Sequence, residues 1–309
     1  MEEKGQEEEK RYIVRLANQG DVSGIAELIE RNNYTHFFLP RDTAMLQVRV
    51  AQSMDLHLPG WFFVMEQETE DGEKTIVGTS QIEVVHERFM YRIDEGSTFR
   101  LCLEKEPDDV LGLGSLLLDE SLRSKGLGLA KLLSYSRLLF LYLNEKITVR
   151  RLLTEFVMHS FWEKFVKPLL GDMTWEEAEQ QWDDDEYVSL LWEGLPARIA
   201  LPQEMLLEIL MGEDAYTPQI SKGSMAARRL LAPFGFQCLG QIELEGGIWY
   251  GCDWGGIRGK FDFCKIAATD ARILAPDKEM IACGGGPEGF LAHYALPKEV
   301  NAYQMCFLL

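Results

Sequence analysis

Apolar and polar positions along the first third of the chain predict strands and helices in a definite order. A strand pattern over residues 12–16 precedes an amphipathic helix centred on Ile25, and a second helix is predicted over residues 43–54. Two β-rich runs, residues 61–65 and 75–85, are joined by an acidic glycine turn and predict a hairpin. The chain therefore opens in the order β, α, α, β, β.

The middle of the chain places a strand before a long helix. Residues 115–118 form a short apolar run and predict a central strand, and residues 129–143 carry the pattern of a helix. Residues 150–157 are apolar and bounded, which is typical of a strand that is buried on both faces. A helix over residues 160–169 is expected to follow.

The last third of the chain changes in character. Helices are predicted over residues 203–211 and 222–232, and glycine pairs then separate short runs at residues 248–250, 264–268 and 290–295. Many short strands between glycines indicate a small β-rich module, which could be barrel-like. The predicted fold class is α+β with a mixed sheet.

Three segments with different characters follow from these patterns. Residues 1–10 are charged, lack apolar periodicity and are predicted to be a disordered lead. Residues 11–240 hold the main domain, and residues 241–309 hold the C-terminal module. A chain of 309 residues is long enough to bury a full core.

Composition and charge exclude several classes of function. A net charge of −19 argues against nucleic acids and anionic membranes as partners, because those surfaces need a basic stripe to bind them. No run of eighteen apolar residues exists, and the N-terminus is acidic where a signal peptide would be basic, so a cytoplasmic location is expected. The six cysteines form no C-x-x-C pair, so we expect no metal site and reduced thiols.

The turn between the central strand and its helix has the composition of an anion site. It reads RSKGLG over residues 123–128, with Leu129 and Ala130 opening the helix. The first N–H groups of a helix have no partner inside it, and glycine lets a phosphate approach the backbone closely. Arg123 and Lys125 add positive charge. A basic turn without a ligand is the alternative explanation.

The spacing R-x-x-G-x-G in this turn resembles the pyrophosphate loop of the GNAT acyl-CoA N-acyltransferases. Neither the P-loop pattern nor the dinucleotide-binding pattern is present. Further blocks in order along residues 11–300 resemble one family in that superfamily, the arginine N-succinyltransferases of bacterial arginine catabolism. The main blocks are SLLLD (115–119), LLSYSR (132–137), TEF (154–156), SFWE (160–163), residues 226–236, GIR (256–258) and IAC (281–283).

The resemblance implies a GNAT fold and transfer of a succinyl group from succinyl-CoA to the α-amino group of arginine. Its partners would be acyl-CoA and a small cationic amine, and a homo- or hetero-oligomer is possible. In this fold, backbone N–H groups of the central strand polarise the thioester carbonyl, which points to Leu116 and Leu117. The residues expected to bind the donor are Leu116, Leu117, Leu118, Arg123, Ser124, Lys125, Gly126, Leu127, Gly128, Leu129 and Ala130.

Proton transfer needs groups that the resemblance identifies only in part. Glu155 and His159 are candidates to collect the proton of the amine, although Glu155 could instead pair with Arg150, Arg151 or the guanidinium of the substrate. The family's proposed proton donor is a histidine in a G-x-x-H segment, whereas the matching residues 212–217 read GEDAYT. Tyr216 is the candidate acid in its place. An acyltransferase for another amine and an inactive acyl-CoA-binding protein remain as alternatives.

Overall fold

The computed structural model of the protein describes most of the chain between Lys10 and Phe307. The described residues are 10–32, 39–40, 42–54, 60–85, 87–94, 98–123, 125–157, 161–173, 177, 185–200, 222–244, 247–266, 280–284, 289–295, 299–300 and 304–307. Within these ranges the chain forms seven α-helices and fourteen strands.

The elements alternate along the chain as an α+β fold. The helices are α1 (Val22–Arg31), α2 (Thr43–Met54), α3 (Leu129–Leu143), α4 (Lys167–Leu170), α5 (Asp185–Gly194), α6 (Lys222–Leu231) and α7 (Trp254–Cys264), and a π-helical turn (Trp162–Val166) leads into α4. The strands are β1 (Arg11–Leu16), β2 (Gly60–Glu68), β3 (Lys74–Val84), β4 (Glu87–Ile93), β5 (Thr98–Lys105), β6 (Val110–Leu118), β7 (Arg151–Val157), β8 (Arg198–Ala200), β9 (Gln237–Glu243), β10 (Gly247–Asp253), β11 (Lys265–Ile266), β12 (Met280–Gly284), β13 (Leu291–Ala295) and β14 (Met305–Phe307).

The strands join in one mixed sheet in the order β11-β14-β12-β13-β1-β2-β3-β6-β7-β10-β9-β4-β5-β8. Among the described pairs, β6 and β7 run parallel and the others are antiparallel. The parallel pair lies at the centre of the sheet, where α3 crosses over from the end of β6 to the start of β7. Parallel neighbours require such a crossover, usually a helix.

A β-bulge interrupts β6 near its end. The register between β3 and β6 shifts between Thr79 and Gln81, so that Ser80 lies opposite both Ser115 and Leu116. Ser115 has a φ of 53°, a left-handed conformation that is uncommon for a residue other than glycine. Strain of this kind persists where the surrounding structure fixes it, and functional sites are where it is most often found.

Helices cover both faces of the sheet. On one face α1 and α2 pack against alternate residues of β2, including Phe62 and Val64. On the other face α3 packs against residues such as Phe63, and Leu132 to Leu141 of this helix are all buried. Helix α3 has no solvated stripe because α6, α7 and the strands β12 and β13 cover its outer side.

Most of the predicted elements occur where the sequence places them. Helices α2 and α3 have the predicted bounds, and β1, β2, β3, β7 and β13 match their predicted strands closely. The α+β class with a mixed sheet is confirmed. The predicted helix over 203–211 and residues 1–9 lie outside the described residues.

One prediction about the C-terminal third is wrong. The glycine pattern predicts that Gly255 and Gly256 separate two strands, but they lie inside α7. That helix is stabilised by the burial of Trp254, Ile257 and Phe261, which outweighs the low helix propensity of glycine. The strand predicted over 264–268 begins one residue later, because α7 extends to Cys264 and β11 starts at Lys265; residues 267–268 lie outside the described residues.

The boundary predicted at residue 240 falls within β9, which pairs with β4 and β10 in the continuous sheet. The division into a main domain and a C-terminal module therefore stays a prediction. None of the helices in the described part of the chain is both long enough and apolar enough to cross a membrane.

Candidate functional site

The turn between β6 and α3 has the backbone geometry of an anion cradle. Gly126 and Gly128 both have positive φ, 74° and 68°, and Gly128 is the residue that precedes the first turn of α3. No side chain caps this helix, so its first N–H groups point outward without a side-chain acceptor. Together with the positive end of the helix dipole they form a site for a negatively charged group.

The two basic residues of the turn have different roles. Arg123 donates through Nε to the Leu118 carbonyl at 2.8 Å and through Nη2 to Asn32 Oδ1 at 3.2 Å, so it ties the turn to β6 and to the end of α1. Lys125 is exposed and has no ion-pair partner among the described residues. Lys125 is therefore the available cation of the turn, and Ser124 lies outside the described residues.

Tyr294 of β13 contacts the cradle, and no local sequence pattern predicts this contact. Its hydroxyl donates to the carbonyl of Gly128 at 2.9 Å. A Cβ atom at Gly128 would lie 2.7 Å from the Tyr294 hydroxyl oxygen. Any substitution at Gly128 thus combines backbone strain with a clash against Tyr294, and it cannot isolate the approach of a phosphate to the backbone.

A gap opens between β6 and β7 next to the bulge. Their register pairs end at Gly112 and Leu153, and one further link joins the Thr154 hydroxyl to the Leu113 carbonyl at 3.0 Å. Beyond this point β7 continues against β10 only. The gap begins just before the bulge of β6, and it leads toward the start of α3.

The three leucines after the bulge differ in their surroundings. Leu117 pairs with Thr79 of β3, and its side chain is buried in the core beneath α1 and α2. Leu118 is also buried and paired. Leu116 is half-buried and has no register partner of its own on β3. It also lies beyond the last register pair of β6 with β7. Of the predicted backbone donors, Leu116 is therefore the one that the geometry favours.

Glu155 lies on the sheet face opposite α3 and has no hydrogen-bond or ion-pair partner among the described residues. It sits opposite Trp249 on β10, and its carboxyl occupies the space above Gly247, where any side chain would overlap it. The pairing with Arg150 or Arg151 that was considered from the sequence was wrong, because those residues contact Asp109 and Asp253 instead.

Burial raises the pKa of Glu155 well above its ordinary value, and the nearby carboxylates of Glu243 and Glu83 raise it further. The guanidinium of Arg88 opposes this shift without cancelling it. Burial likewise raises the pKa of Glu243, whose carboxylate accepts a hydrogen bond from Trp249 Nε1 at 2.8 Å. The carboxyl groups of Glu155, Glu243 and Glu83 and the guanidinium of Arg88 thus form one cluster of interacting charges.

Arg88 stabilises the acidic cluster from one side. It is 4% exposed, forms an ion pair with Glu106, donates to Gln241 Oε1 at 3.2 Å and lies 4.6 Å from the centre of the Trp249 ring. Its Nε has no partner among the described residues. Its charge is largely committed to Glu106, so the guanidinium only partly opposes the raised pKa of Glu155.

His159 and Tyr216, the other predicted catalytic residues, lie outside the described residues. The described part of the chain also contains no group of three or more histidine, cysteine or acidic residues arranged to hold a metal ion. None of the six cysteines, all of which lie in the described part of the chain, forms a disulfide.

Comparison with known proteins identifies the fold. The arginine/ornithine succinyltransferase subunit AI from Pseudomonas aeruginosa has a similar structure with a TM-score of 0.70 and 16% sequence identity, over 97% of this chain and 99% of that chain. The chain has the fold of the GNAT acyltransferases, and the fold expected from the resemblance is confirmed.

Two other solved structures match with lower similarity. The spermidine/spermine N-acetyltransferase SpeG from Vibrio cholerae has a TM-score of 0.40 and 10% identity, over 81% of this chain and 98% of that chain. An aminoglycoside acetyltransferase AAC(6')-Ib, solved with coenzyme A and kanamycin, has a TM-score of 0.40 and 15% identity, over 80% of this chain and 98% of that chain. No protein family model and no curated protein matches the sequence.

Proposed function

We propose that this protein is an acyl-CoA-dependent N-acyltransferase that moves a succinyl group from succinyl-CoA to the α-amino group of arginine, as a cytoplasmic enzyme of arginine catabolism. The observation that carries the proposal is the gap between β6 and β7, which opens beside the bulge at Ser115. The uncapped first turn of α3 stands at the end of the same strand. The gap therefore connects the anion site at the start of α3 with the bulge at Ser115 in β6.

The donor binds at the start of α3. Its pyrophosphate accepts hydrogen bonds from the first N–H groups of the helix, around Leu129 and Ala130, and Lys125 supplies a positive charge. Gly126 and Gly128 hold the turn in the left-handed conformation that brings the backbone close to the phosphates. Three phosphates can be bound by this local site although the whole chain carries a charge of −19.

The thioester lies in the gap beside the bulge. The acyl-pantetheine arm runs between β6 and β7, and the N–H group of Leu116 donates to the thioester carbonyl. When the amine nitrogen attacks the carbonyl carbon, negative charge develops on that oxygen and this hydrogen bond stabilises it. The carbon–sulfur bond then breaks, the acyl group stays on nitrogen, and CoA leaves as a thiolate.

The acceptor approaches from the face that holds Glu83, Glu155 and Glu243. A cation such as the guanidinium of arginine would stabilise the ionised forms of these carboxyl groups, which burial disfavours. Glu155 is the proposed base, because a carboxyl with a raised pKa accepts the proton of the amine more readily than an exposed carboxyl does. His159 is the second candidate base, and Tyr216 is the proposed acid that protonates the departing thiolate.

Assays that combine each acyl donor with each amine acceptor test this proposal. CoA thiol release is measured with succinyl-CoA or acetyl-CoA against arginine, ornithine, lysine or no amine, and mass spectrometry locates the acyl group on the product. Arginine-dependent release selective for succinyl-CoA supports the proposal, and release with another amine would favour a different acceptor.

Two variants serve as controls for this assay. Lys125→Ala removes the exposed cation of the turn, and we expect weaker CoA binding that is most evident at low salt, where the charge of Lys125 is least screened. Glu155→Gln should bind CoA as the natural protein does but release little thiol. If CoA does not stabilise the natural protein against thermal unfolding, the donor site is wrong. Binding without any turnover would indicate an inactive acyl-CoA-binding protein.

A further inference from the structure

Arg137 of α3 is a buried guanidinium with no carboxylate beside it. The residue is 2% exposed and forms no ion pair within the described residues. Its donors reach neutral oxygens only. Nη1 donates to the Gly114 carbonyl at 3.2 Å, Nη2 to the Ser134 hydroxyl at 3.0 Å and Nε to the Ser134 carbonyl at 3.3 Å. Buried charges in proteins are normally paired, so an unpaired one calls for an anion from elsewhere.

This guanidinium lies at the beginning of the gap between β6 and β7. Gly114 directly precedes the bulge at Ser115 and lies beyond the last register pair of the two strands, Gly112 with Leu153. Arg137 comes eight residues after Leu129, so it lies about 12 Å along the helix axis from the anion cradle. A donor held at the cradle would therefore extend its acyl end toward Arg137.

A second buried polar group lies opposite the same bulge. The Ser80 hydroxyl is fully buried and has no hydrogen-bond partner among the described residues. Alternation along β3 places Ser80 on the α3 side of the sheet, because Gly78 abuts Leu133 of α3 and Ile82 lies in the same core. An orphaned hydroxyl and an uncompensated guanidinium thus flank the bulge on one side of the sheet.

We propose that Arg137 binds the free carboxylate at the far end of the donor's acyl chain, with the Ser80 hydroxyl as an additional donor. Arg137 then selects an acyl-CoA whose acyl group is a dicarboxylic acid over one with an uncharged chain. This inference rests on the proposed function, because the donor must lie in the gap. Burial lowers the pKa of Arg137 to about 9, so the group is still cationic at neutral pH.

A matched pair of donors tests the role of Arg137. Succinyl-CoA and butyryl-CoA have acyl chains of equal length and differ in a carboxylate against a methyl group. We expect the natural protein to prefer succinyl-CoA in kcat/KM. In Arg137→Met, kcat/KM should fall on the order of 100-fold for succinyl-CoA and hold or rise for butyryl-CoA. Arg137→Lys keeps the positive charge but cannot bind a carboxylate through two parallel hydrogen bonds, so it should retain part of the preference for succinyl-CoA.

A purely structural role for Arg137 gives a different result. If the residue only pins the bulge through the Gly114 carbonyl, Arg137→Met lowers kcat/KM equally for both donors, and the inference is overturned. Equal use of both donors by the natural protein overturns it as well, while the proposed acyl transfer stands. Ser80→Ala should reduce the preference for succinyl-CoA by a smaller factor. An unchanged preference in this variant would exclude Ser80 as a donor to the carboxylate, while the role of Arg137 would stand.

Binding measurements separate this inference from the proposed reaction. Thermal stabilisation by succinyl-CoA and by butyryl-CoA is compared in the natural protein, in Arg137→Met and in Arg137→Lys. Selective stabilisation by succinyl-CoA that Arg137→Met loses supports the inference even if no amine is acylated. If neither donor stabilises the natural protein, the donor site and the inference both fail. Should Arg137→Met not fold, Arg137→Lys and the natural protein still give the comparison.

Discussion

Two buried arginines on opposite faces of the sheet differ in how their charge is balanced. Arg88 forms an ion pair with Glu106 and stacks on Trp249, whereas the hydrogen bonds of Arg137 within the described part of the chain go to carbonyl and hydroxyl oxygens. They are almost equally buried, at 4% and 2% exposure. Arg88 is thus compensated by the chain itself, while Arg137 is the guanidinium whose partner a ligand would supply. The difference separates a charge that stabilises the fold from one that is available for binding.

Arg88→Met should cause the largest loss of stability. The substitution leaves Glu106 and the acidic cluster around Glu155 buried without a compensating cation. Breaking a buried ion pair from one side costs about 3–5 kcal/mol of unfolding free energy. Urea denaturation measures this loss. The double variant Arg88→Met/Glu106→Gln should recover part of it, and a loss below about 1 kcal/mol would show that the pair contributes little.

Glu155→Gln should abolish most of the activity without a comparable loss of stability. A positioned general base contributes roughly 10²- to 10⁴-fold to the rate, and the amide cannot accept the proton. Thiol release under saturating donor and amine measures kcat. Glu83→Gln, which neutralises a neighbouring carboxylate, is the control and should change KM for the amine more than kcat. Equal losses in the two variants would argue against a special role for Glu155.

The same variant changes how stability depends on pH. The pKa of Glu155 is raised in the folded protein above its ordinary value of 4.5, so the folded state holds the proton more tightly than the unfolded chain does. Its contribution to stability is complete below that ordinary value and is lost as the pH rises through the folded pKa. In the natural protein the unfolding free energy should therefore decrease as the pH rises above about 4.5, and Glu155→Gln should make this decrease smaller. The decrease that remains in the variant should come from Glu243, whose pKa is also raised.

Arg137→Met should destabilise the protein less than Arg88→Met does. Among the described residues no carboxylate is left behind when Arg137 is removed, and the lost partners are the Gly114 carbonyl and the Ser134 backbone and hydroxyl. Unsatisfied neutral acceptors cost about 1–3 kcal/mol, and removal of a desolvated charge offsets part of this. Urea denaturation of both variants gives the comparison. A larger loss for Arg137→Met would mean that its charge is already compensated in the free protein.

The sequence was sufficient to predict the elements that have local signals. Helix α3 has its predicted bounds, since the glycine turn before it and the apolar run within it are both local features. Gly126 and Gly128 adopt the left-handed conformation that an anion-binding turn requires. The sequence pattern does not predict helix α7, because its glycines are a local signal for a turn. The burial of Trp254 and Phe261, which stabilises the helix, depends on elements that are distant in the sequence.

The site was predictable only where its residues are close in the sequence. Glu155 was singled out as a carboxyl inside a strand, but its acidic neighbours Glu83 and Glu243 come from strands far away along the chain. Arg137 belongs to a local sequence motif, but the absence of a carboxylate partner among the described residues is a property of the three-dimensional fold. Tyr294 reaches Gly128 across 166 positions, and no local pattern marks that contact.

Tyr294→Phe should have the smallest effect, and it tests whether the cradle depends on β13. The variant keeps the ring and removes the hydrogen bond to the Gly128 carbonyl. An exposed hydrogen bond contributes about 0.5–1.5 kcal/mol, so stability should fall only slightly. If the bond holds Gly128 in its left-handed conformation, CoA binding should weaken several-fold, and Lys125→Ala in the same background should weaken it further. Unchanged CoA affinity in Tyr294→Phe would show that the turn holds its shape through Gly126, Gly128 and Arg123 alone, and that β13 only covers it.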